Sequence, residues 1–241
     1  MIDITLLTLK EMYKSKKTYI LGIFLLLPLI LGLYAVHKGE NGTEVFSDGI
    51  HHLYLQLFLA LVTLLFAITV FSDDIKSGRI AFLTTRVSRV RIVVEKYLGY
   101  VISTSVVFLI ALTVMFITLS VYAPETIPLK VFFSYALVII LAIIAYGGFY
   151  FFISTLISKP LMFGLFFAFI WEISAPAISQ RLAESTISHY LLSVAYELVE
   201  YGDIQNMSAP TSLTHSIGIL CVFSVVSLGV STILFKQKSL E

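Results

Sequence analysis

An all-α membrane protein with six spans is predicted by three observations: the composition, the length of the apolar runs and the placement of the cations. Of the 241 residues 58% are hydrophobic and 13% charged, with a mean hydropathy of +0.95. A soluble chain of this size could not cover its surface with so few charges. The apolar residues lie in six unbroken runs, Tyr19–Val36, Leu53–Phe71, Tyr97–Val121, Val131–Ile157, Leu161–Ile178 and Ser216–Phe235. As helices they match a hydrocarbon core of about 30 Å, and a helix satisfies its own backbone there. Thirteen of the sixteen Lys and Arg residues fall on one side of that topology: Lys10, Lys14, Lys16, Lys17, six between Ser72 and Lys96, Lys159, Lys236 and Lys238. Lys38, Lys130 and Arg181 fall on the other. The positive-inside rule therefore expects a multi-pass protein of the cell (plasma) membrane with both termini cytoplasmic.

The elements follow in chain order. In the first eighteen residues Ile2, Leu6, Leu9 and Tyr13 recur at 4-3-4 spacing with lysines close behind, which predicts a cytoplasmic interfacial helix over 1–18. The next apolar run reaches Val36 without a small-residue cleavage site, so it is expected to be a retained span rather than a signal peptide. Ser158-Lys159-Pro160 separates the fourth and fifth spans; proline cannot continue the first helix but suits the opening turn of the second, giving a tight antiparallel turn. In the outer loop 180–214, Ile187, Leu191, Val194, Leu198 and Tyr201 follow 4-3-4-3 spacing, and this amphipathic segment is expected to cap the bundle or dip into the outer leaflet. The whole of 1–241 reads as a single transmembrane domain.

Several functions lose support at this level. A net charge of +1 gives nucleic acid no electrostatic footprint. Cys221 is the sole cysteine, so an internal disulfide and a Cys-based metal or redox motif are excluded. His37, His51, His52, His189 and His215 gather at the outer side, and the adjacent pair His51-His52 is expected to point apart on a helix rather than to hold a metal. The Tyr146–Phe152 segment sets Gly147 and Gly148 among aromatics, which predicts close helix packing. The chain's two asparagines, Asn41 and Asn206, each begin an acceptor triplet in a loop assigned to the outside, so both are glycosylation candidates.

The densest charge lies in the hairpin 72–96, which holds Lys76, Arg79, Arg86, Arg89, Arg91 and Lys96. Ile80, Leu83, Val87, Val90 and Val94 recur through it at 3-4-3-4 spacing, an apolar stripe if the segment is one helix. Asp73 and Asp74 stand near its start, where a helix dipole favours acids. Two readings stand: a solvated loop whose cations set topology and bind anionic headgroups, or a docking element for a cytoplasmic partner.

At these residues the chain resembles the permease subunits of ABC transporters of the exporter type (type-2). Those permeases carry, after the second span, an acidic start, Gly-Thr, two leucines, Ser-x-Pro-x-Ser-Arg and a Lys-Leu-Gly that opens the third span. The counterparts are Asp73-Asp74, Gly78-Arg79, Phe82-Leu83, Thr84-Thr85-Arg86-Val87-Ser88-Arg89 and Lys96-Tyr97-Leu98-Gly99. Arg79 replaces the usual threonine and Arg86 the usual proline, which leaves open whether the hairpin is one helix or two. The resemblance implies a permease, used for export, that pairs with a second permease copy (the same chain or a close relative). It also implies docking on a separate cytoplasmic ATPase through Asp73, Asp74, Gly78, Arg79, Phe82, Leu83, Arg86 and Arg89. ATP and magnesium would then belong to the partner and no cofactor to this chain. In agreement, no Gly-x-x-x-x-Gly-Lys-Ser/Thr loop occurs in the sequence.

Polar residues within spans complete the candidates. Counting about 1.5 Å per residue from Leu161 puts Glu172 about 16 Å along the fifth span. A carboxyl group there must find partners or water, so Glu172 either lines a translocation path or dimer seam, or ends its helix early and is bonded locally. The resemblance implies that the second and fifth spans line the path, which adds Gln56 and Thr63. Two rival functions lack support. A membrane-embedded enzyme needs clustered catalytic groups that the sequence does not hold; a structural or regulatory subunit would share the topology without a polar path.

Overall fold

In the computed structural model the residues described are 3–72, 87–123, 125–199, 201 and 210–237. Among them the structure is helical, and five helices are long and apolar enough to cross a membrane: Thr18–His37, Gly42–Phe71, Arg89–Tyr122, Leu129–Leu156 and Leu213–Gln237. A shorter apolar helix, Pro160–Ser174, stands at the place of the fifth predicted span. The sixfold pattern is therefore present, with one crossing shortened.

The N-terminal helix α1 (Asp3–Lys14) buries Ile4, Thr5, Thr8 and Met12, whereas Leu6 and Tyr13 are exposed. Of the stripe seen in the sequence, Leu6 and Tyr13 thus face outward and Leu9 is half-buried, while the neighbouring face packs on the protein. The first span is two helices, α2 (Lys16–Phe24) and α3 (Leu27–His37), with Pro28 in the opening turn of the second. Proline has no N–H to continue the ladder. The Leu29 N–H turns to the Leu26 carbonyl at 3.1 Å, and the Leu25 carbonyl accepts instead from the Tyr54 hydroxyl of the second span at 2.7 Å.

The second span starts earlier than hydropathy predicts, because Asn41 caps α4 (Gly42–Asp48): its side chain accepts from the Thr43 N–H at 2.8 Å. The helix then widens to a π-helix over Gly49–Phe58, returns to α5 (Leu59–Ala67) and widens again over Ile68–Ser72. The third span is α6 (Arg89–Tyr122) and the fourth α7 (Leu129–Leu156). Pro160 opens α8 (Pro160–Phe166), which continues as a π-helix over Phe167–Ser174 and as α9 (Ala175–Ile178). Between the fifth and last spans lie α10 (Gln180–Ala183) and α11 (Ile187–Leu198); α11 buries Ile187, Leu191 and Val194, so this segment caps the bundle. The last span is α12 (Leu213–Gln237).

The fourth span is the centre of the bundle. Tyr135, Tyr146, Tyr150 and Phe151 are fully buried along it. The last span meets it with a run of small residues, Ser216, Ser224, Ser227 and Ser231, all buried. Where dispersion replaces the hydrophobic effect, such residues let backbones approach. A Cβ at Gly148 would lie 3.1 Å from the Ser224 carbonyl oxygen, and Thr155 and Ser231 hydroxyls pair at 2.8 Å further along. A Cβ at Gly147 would overlap the Tyr100 ring of the third span. That ring packs between those of Tyr97 and Phe151, with centroids 6.1 Å and 5.5 Å away, so a shift of it disturbs two further aromatic contacts.

Gly147→Ala should therefore overpack the centre and cost about 1–3 kcal/mol. The check is thermal unfolding of the purified variant in detergent, where a clear fall in Tm is expected and Gly229→Ala, whose Cβ meets nothing within 4 Å, serves as control.

Candidate functional site: the hairpin junction and the far-side cap

Of the predicted coupling residues, Asp73, Asp74, Gly78, Arg79, Phe82, Leu83 and Arg86 lie outside the described residues. Arg89 lies within them. The helix beyond the hairpin begins at Arg89, with Ser88 in extended conformation at φ −63° and ψ 142°. The apolar stripe from Ile80 to Val94 is accordingly not carried by one continuous helix: the backbone breaks at Ser88 even though Arg86 has replaced the family's proline.

Arg89 reaches across to the end of the last span. Its guanidinium donates to the carbonyls of Lys236 at 2.8 Å and Phe235 at 3.3 Å. The last carbonyls of a helix have no intrahelical donor and carry partial negative charge, so a cation fits them. Six residues on, Glu95 does the converse for α1. Its Oε2 accepts from the Ile4 N–H at 3.1 Å in the first turn, its Oε1 accepts from Arg91 Nε at 2.6 Å, and its carbonyl accepts from the Thr5 hydroxyl at 3.0 Å. Lys96 donates to the Val70 carbonyl at 3.3 Å, in the widened stretch Ile68–Ser72 of the second span. Glu95 and Lys96 are 3% and 2% exposed, so water does little to screen these contacts. At partly buried helix ends such charges contribute up to about 2 kcal/mol each.

The Lys96-Tyr97-Leu98-Gly99 motif gains a physical reading here. Tyr97 donates its hydroxyl to the Ile144 carbonyl of the fourth span at 2.8 Å. Gly99 lets α1 approach, because a Cβ there would lie 2.8 Å from the Thr8 Cβ. Leu98 is exposed on the apolar face. Sequence reasoning placed Arg89 among the docking residues and Lys96 in the motif that opens the third span, but gave Glu95 no role; the available signal was an acid and a base side by side where a charged hairpin becomes an apolar span.

On the far side Glu172 belongs to the π-helical end of the fifth span and is 3% exposed. Its Oε2 accepts from the Tyr146 hydroxyl at 2.8 Å and the Ser188 N–H at 2.9 Å, and its Oε1 accepts from the Ile187 N–H at 3.0 Å. Ile187 and Ser188 open α11, and the Thr186 side chain accepts from the His189 N–H at 3.2 Å to complete the cap. Glu172 thus satisfies the start of α11 from another helix, and its own helix runs on to Ile178. Gln56 is half-buried, its Nε2 lying 3.1 Å from His51 Nε2, and Thr63 is buried with its hydroxyl on the Leu59 and Ala60 carbonyls. The three predicted path residues therefore have separate partners.

Two other expectations meet particular geometry. His51 and His52 do not point apart: their rings stack at 4.4 Å and 25°, because they lie in a π-helix. Among the described residues no group of three His, Cys, Asp or Glu side chains could hold a metal ion. Asn41 Nδ2, the atom a glycan would occupy, donates to Glu125 Oε2 at 2.8 Å; Asn206 lies outside the described residues.

A pocket of about 510 Å³ opens where three spans meet on the hairpin side. Thr18 and Leu21 line it from the first span, Phe66 and Thr69 from the second, Lys159 and Met162 from the turn into the fifth.

A family model described as ABC-2 family transporter protein matches residues 4–240. The chain belongs to that family. The protein is accordingly the membrane-spanning permease subunit of an ABC transporter, a multi-pass transport component rather than a catalytic one. No curated protein matches it.

Two outcomes follow from the far-side cap of the permease. Glu172→Ala leaves two helix N–H groups and the Tyr146 hydroxyl without their acceptor, at about 1–3 kcal/mol apiece. A loss of at least about 3 kcal/mol is expected by thermal unfolding in detergent, with Glu172→Gln intermediate. The second outcome concerns His189 in α11, whose Nε2 lies 3.1 Å from the Thr211 hydroxyl. Burial holds its imidazole below the ordinary value of 6.5, with Glu184 opposing. The native state thus prefers the neutral ring, and the unfolded chain takes the proton first as pH falls. Stability is full above the free imidazole value and is lost as pH drops through it. Comparing Tm at pH 7.5 and 5.5 should show a smaller acid loss in His189→Gln than in the wild type.

Proposed function

We propose that this permease forms the membrane path of an ATP-driven exporter, working as a dimer of identical or closely similar chains on a separate cytoplasmic ATPase. ATP and magnesium are bound by that ATPase, and this chain supplies the hairpin on which it docks. The carrying observation is the junction after the hairpin, where the third span begins with Arg89, Glu95 and Lys96 bonded to three other helices. A segment that served only to set topology would have no reason to be bolted to the bundle in this way. Family membership and the absence of a nucleotide-binding loop from the sequence support the same division of labour.

In this reading Asp73, Asp74, Gly78, Arg79, Phe82, Leu83, Arg86 and Arg89 form the docking element, with Arg79 and Arg86 supplying charge-assisted contacts to carboxylates and Phe82 and Leu83 apolar anchors. The translocation path runs beside the second and fifth spans. Support comes from their helical geometry: among the described residues the π-helical stretches fall on these two spans alone. Such stretches are rare and frequent at functional sites. Gln56 and Thr63 border the path, Glu172 holds its far-side cap, and the 510 Å³ pocket opens into its hairpin-side end. Both termini and the hairpin face the cytoplasm of the cell membrane.

The test is co-purification of the chain with its ATPase and measurement of vanadate-sensitive hydrolysis in lipid. Arg79→Ala combined with Phe82→Ala should lower retention of the ATPase, or its stimulation by the permease, by about tenfold or more. Unaltered assembly and stimulation in that double variant would remove the docking assignment.

A further inference from the structure

The hairpin-side half of the first span, α2, leaves a groove on each of its flanks. Toward the membrane centre the span is held: Tyr54 donates to the Leu25 carbonyl at 2.7 Å, and the Phe24 and Phe58 ring centroids lie 4.8 Å apart. Nearer the hairpin side α2 exposes Tyr19, Ile20 and Ile23. One groove, of about 420 Å³, runs between α2 and the third span; Ile23, Val107 and Val114 stand in its walls, and among the described residues that line it none is charged. The other is the pocket of about 510 Å³ shared with the second span and the turn into the fifth. It is closed toward the membrane centre by Leu64, whose side chain a Cβ at Gly164 would overlap. It opens sideways onto lipid, since Ile20 and Met162 on its rim are 67% and 68% exposed.

The walls of this pocket are apolar and its polar groups are few. The Thr18 and Thr69 hydroxyls already donate, to the Met12 carbonyl at 2.6 Å and the Leu65 carbonyl at 2.9 Å. Lys159 is the one charged residue in the lining, it is exposed, and among the described residues it has no acidic partner. An empty apolar groove forfeits dispersion on its open side, so a lipid chain fills it. Leaving the bilayer for such a groove exchanges one apolar surrounding for another, and the chain alone therefore selects no particular lipid. Selection falls to the head group, and an ammonium at the membrane boundary favours an anionic one.

We propose that the pocket between the first, second and fifth spans is a binding site for an anionic phospholipid of the hairpin-side leaflet. Its acyl chain lies along Ile20, Phe66 and Met162, and its phosphate meets Lys159. The groove on the other flank of α2 takes lipid chains without regard to head group. The inference goes beyond the transport reading and does not depend on it.

The experiment uses the full chain, without ATPase, in nanodiscs of phosphatidylcholine containing phosphatidylglycerol as the minor lipid. Phosphatidylglycerol and phosphatidylcholine probes, each with a diazirine midway along one acyl chain, are added at equal concentration, and labelled residues are identified by mass spectrometry. At Ile20, Phe66 and Met162 the phosphatidylglycerol probe should label about fivefold more than the phosphatidylcholine probe, the preference that one lysine near the membrane surface supplies. At Val107 and Val114 the two should label equally. Lys159→Ala should bring the pocket to parity and Lys159→Arg should keep the preference. Lys236→Ala, which removes an exposed cation outside the pocket, should change nothing. Thr69→Phe, which fills the pocket, should reduce labelling there by both probes. Equal labelling of the wild-type pocket, a preference that survives Lys159→Ala, or one that falls equally in Lys236→Ala overturns the proposal. Competition by glycerol phosphate, the head without its chains, overturns it too, because the site would then serve free phosphate esters.

Discussion

The structure depends on how helix ends are satisfied where water is scarce. Every helix leaves four N–H groups and four carbonyls without intrahelical partners, and a bundle at the membrane boundary cannot leave all of them to solvent. This chain meets the need with side chains from other helices. Glu95 serves α1, Arg89 serves the last span, and Glu172 with Thr186 serves α11. Two buried acids, Glu95 and Glu172, and the half-buried Arg89 are thus spent on helix termini, at both ends of the bundle.

That arrangement links architecture to function. In the proposed reading, force enters where the hairpin meets the bundle and cargo passes beside the second and fifth spans. The third span begins with charged side chains hydrogen-bonded to the backbone of three other helices and is locked onto the fourth by Tyr97 and Tyr100. The second and fifth spans, by contrast, depart from α-geometry over Gly49–Phe58, Ile68–Ser72 and Phe167–Ser174. Such stretches are rare and frequent at functional sites, which agrees with the proposed place of the path beside these spans.

The fourth span supplies the frame of the bundle. Small residues on its partner, Gly147 and Gly148 on itself, and a ladder of buried tyrosines bring the third, fourth and last spans into close contact. In lipid the attraction between helices is mostly dispersion, which rewards proximity rather than hydrophobicity. A serine stripe therefore does there what a leucine stripe does in water.

Much of this protein was legible in the residues alone. Hydropathy located the spans, because burial in hydrocarbon demands length and apolarity and little else. Proline at position 160 marked the turn into the fifth span, the Ile187–Leu198 periodicity marked the capping helix, and the motif from Asp73 to Gly99 pointed to the family. The partners of the charges were not legible. Glu95 and Glu172 are acids near span ends, and nothing in their neighbours along the chain says that one meets Ile4 and the other Ile187. Nor does periodicity disclose that α1 turns Ile4 and Thr8 inward while Leu6 and Tyr13 face out, or that His51 stacks on His52 in a widened helix. Local sequence determines which segments become helices, since that choice is made within a few residues. Which helix end meets which charge is decided only when distant segments pack, and that part of the answer belongs to the tertiary structure.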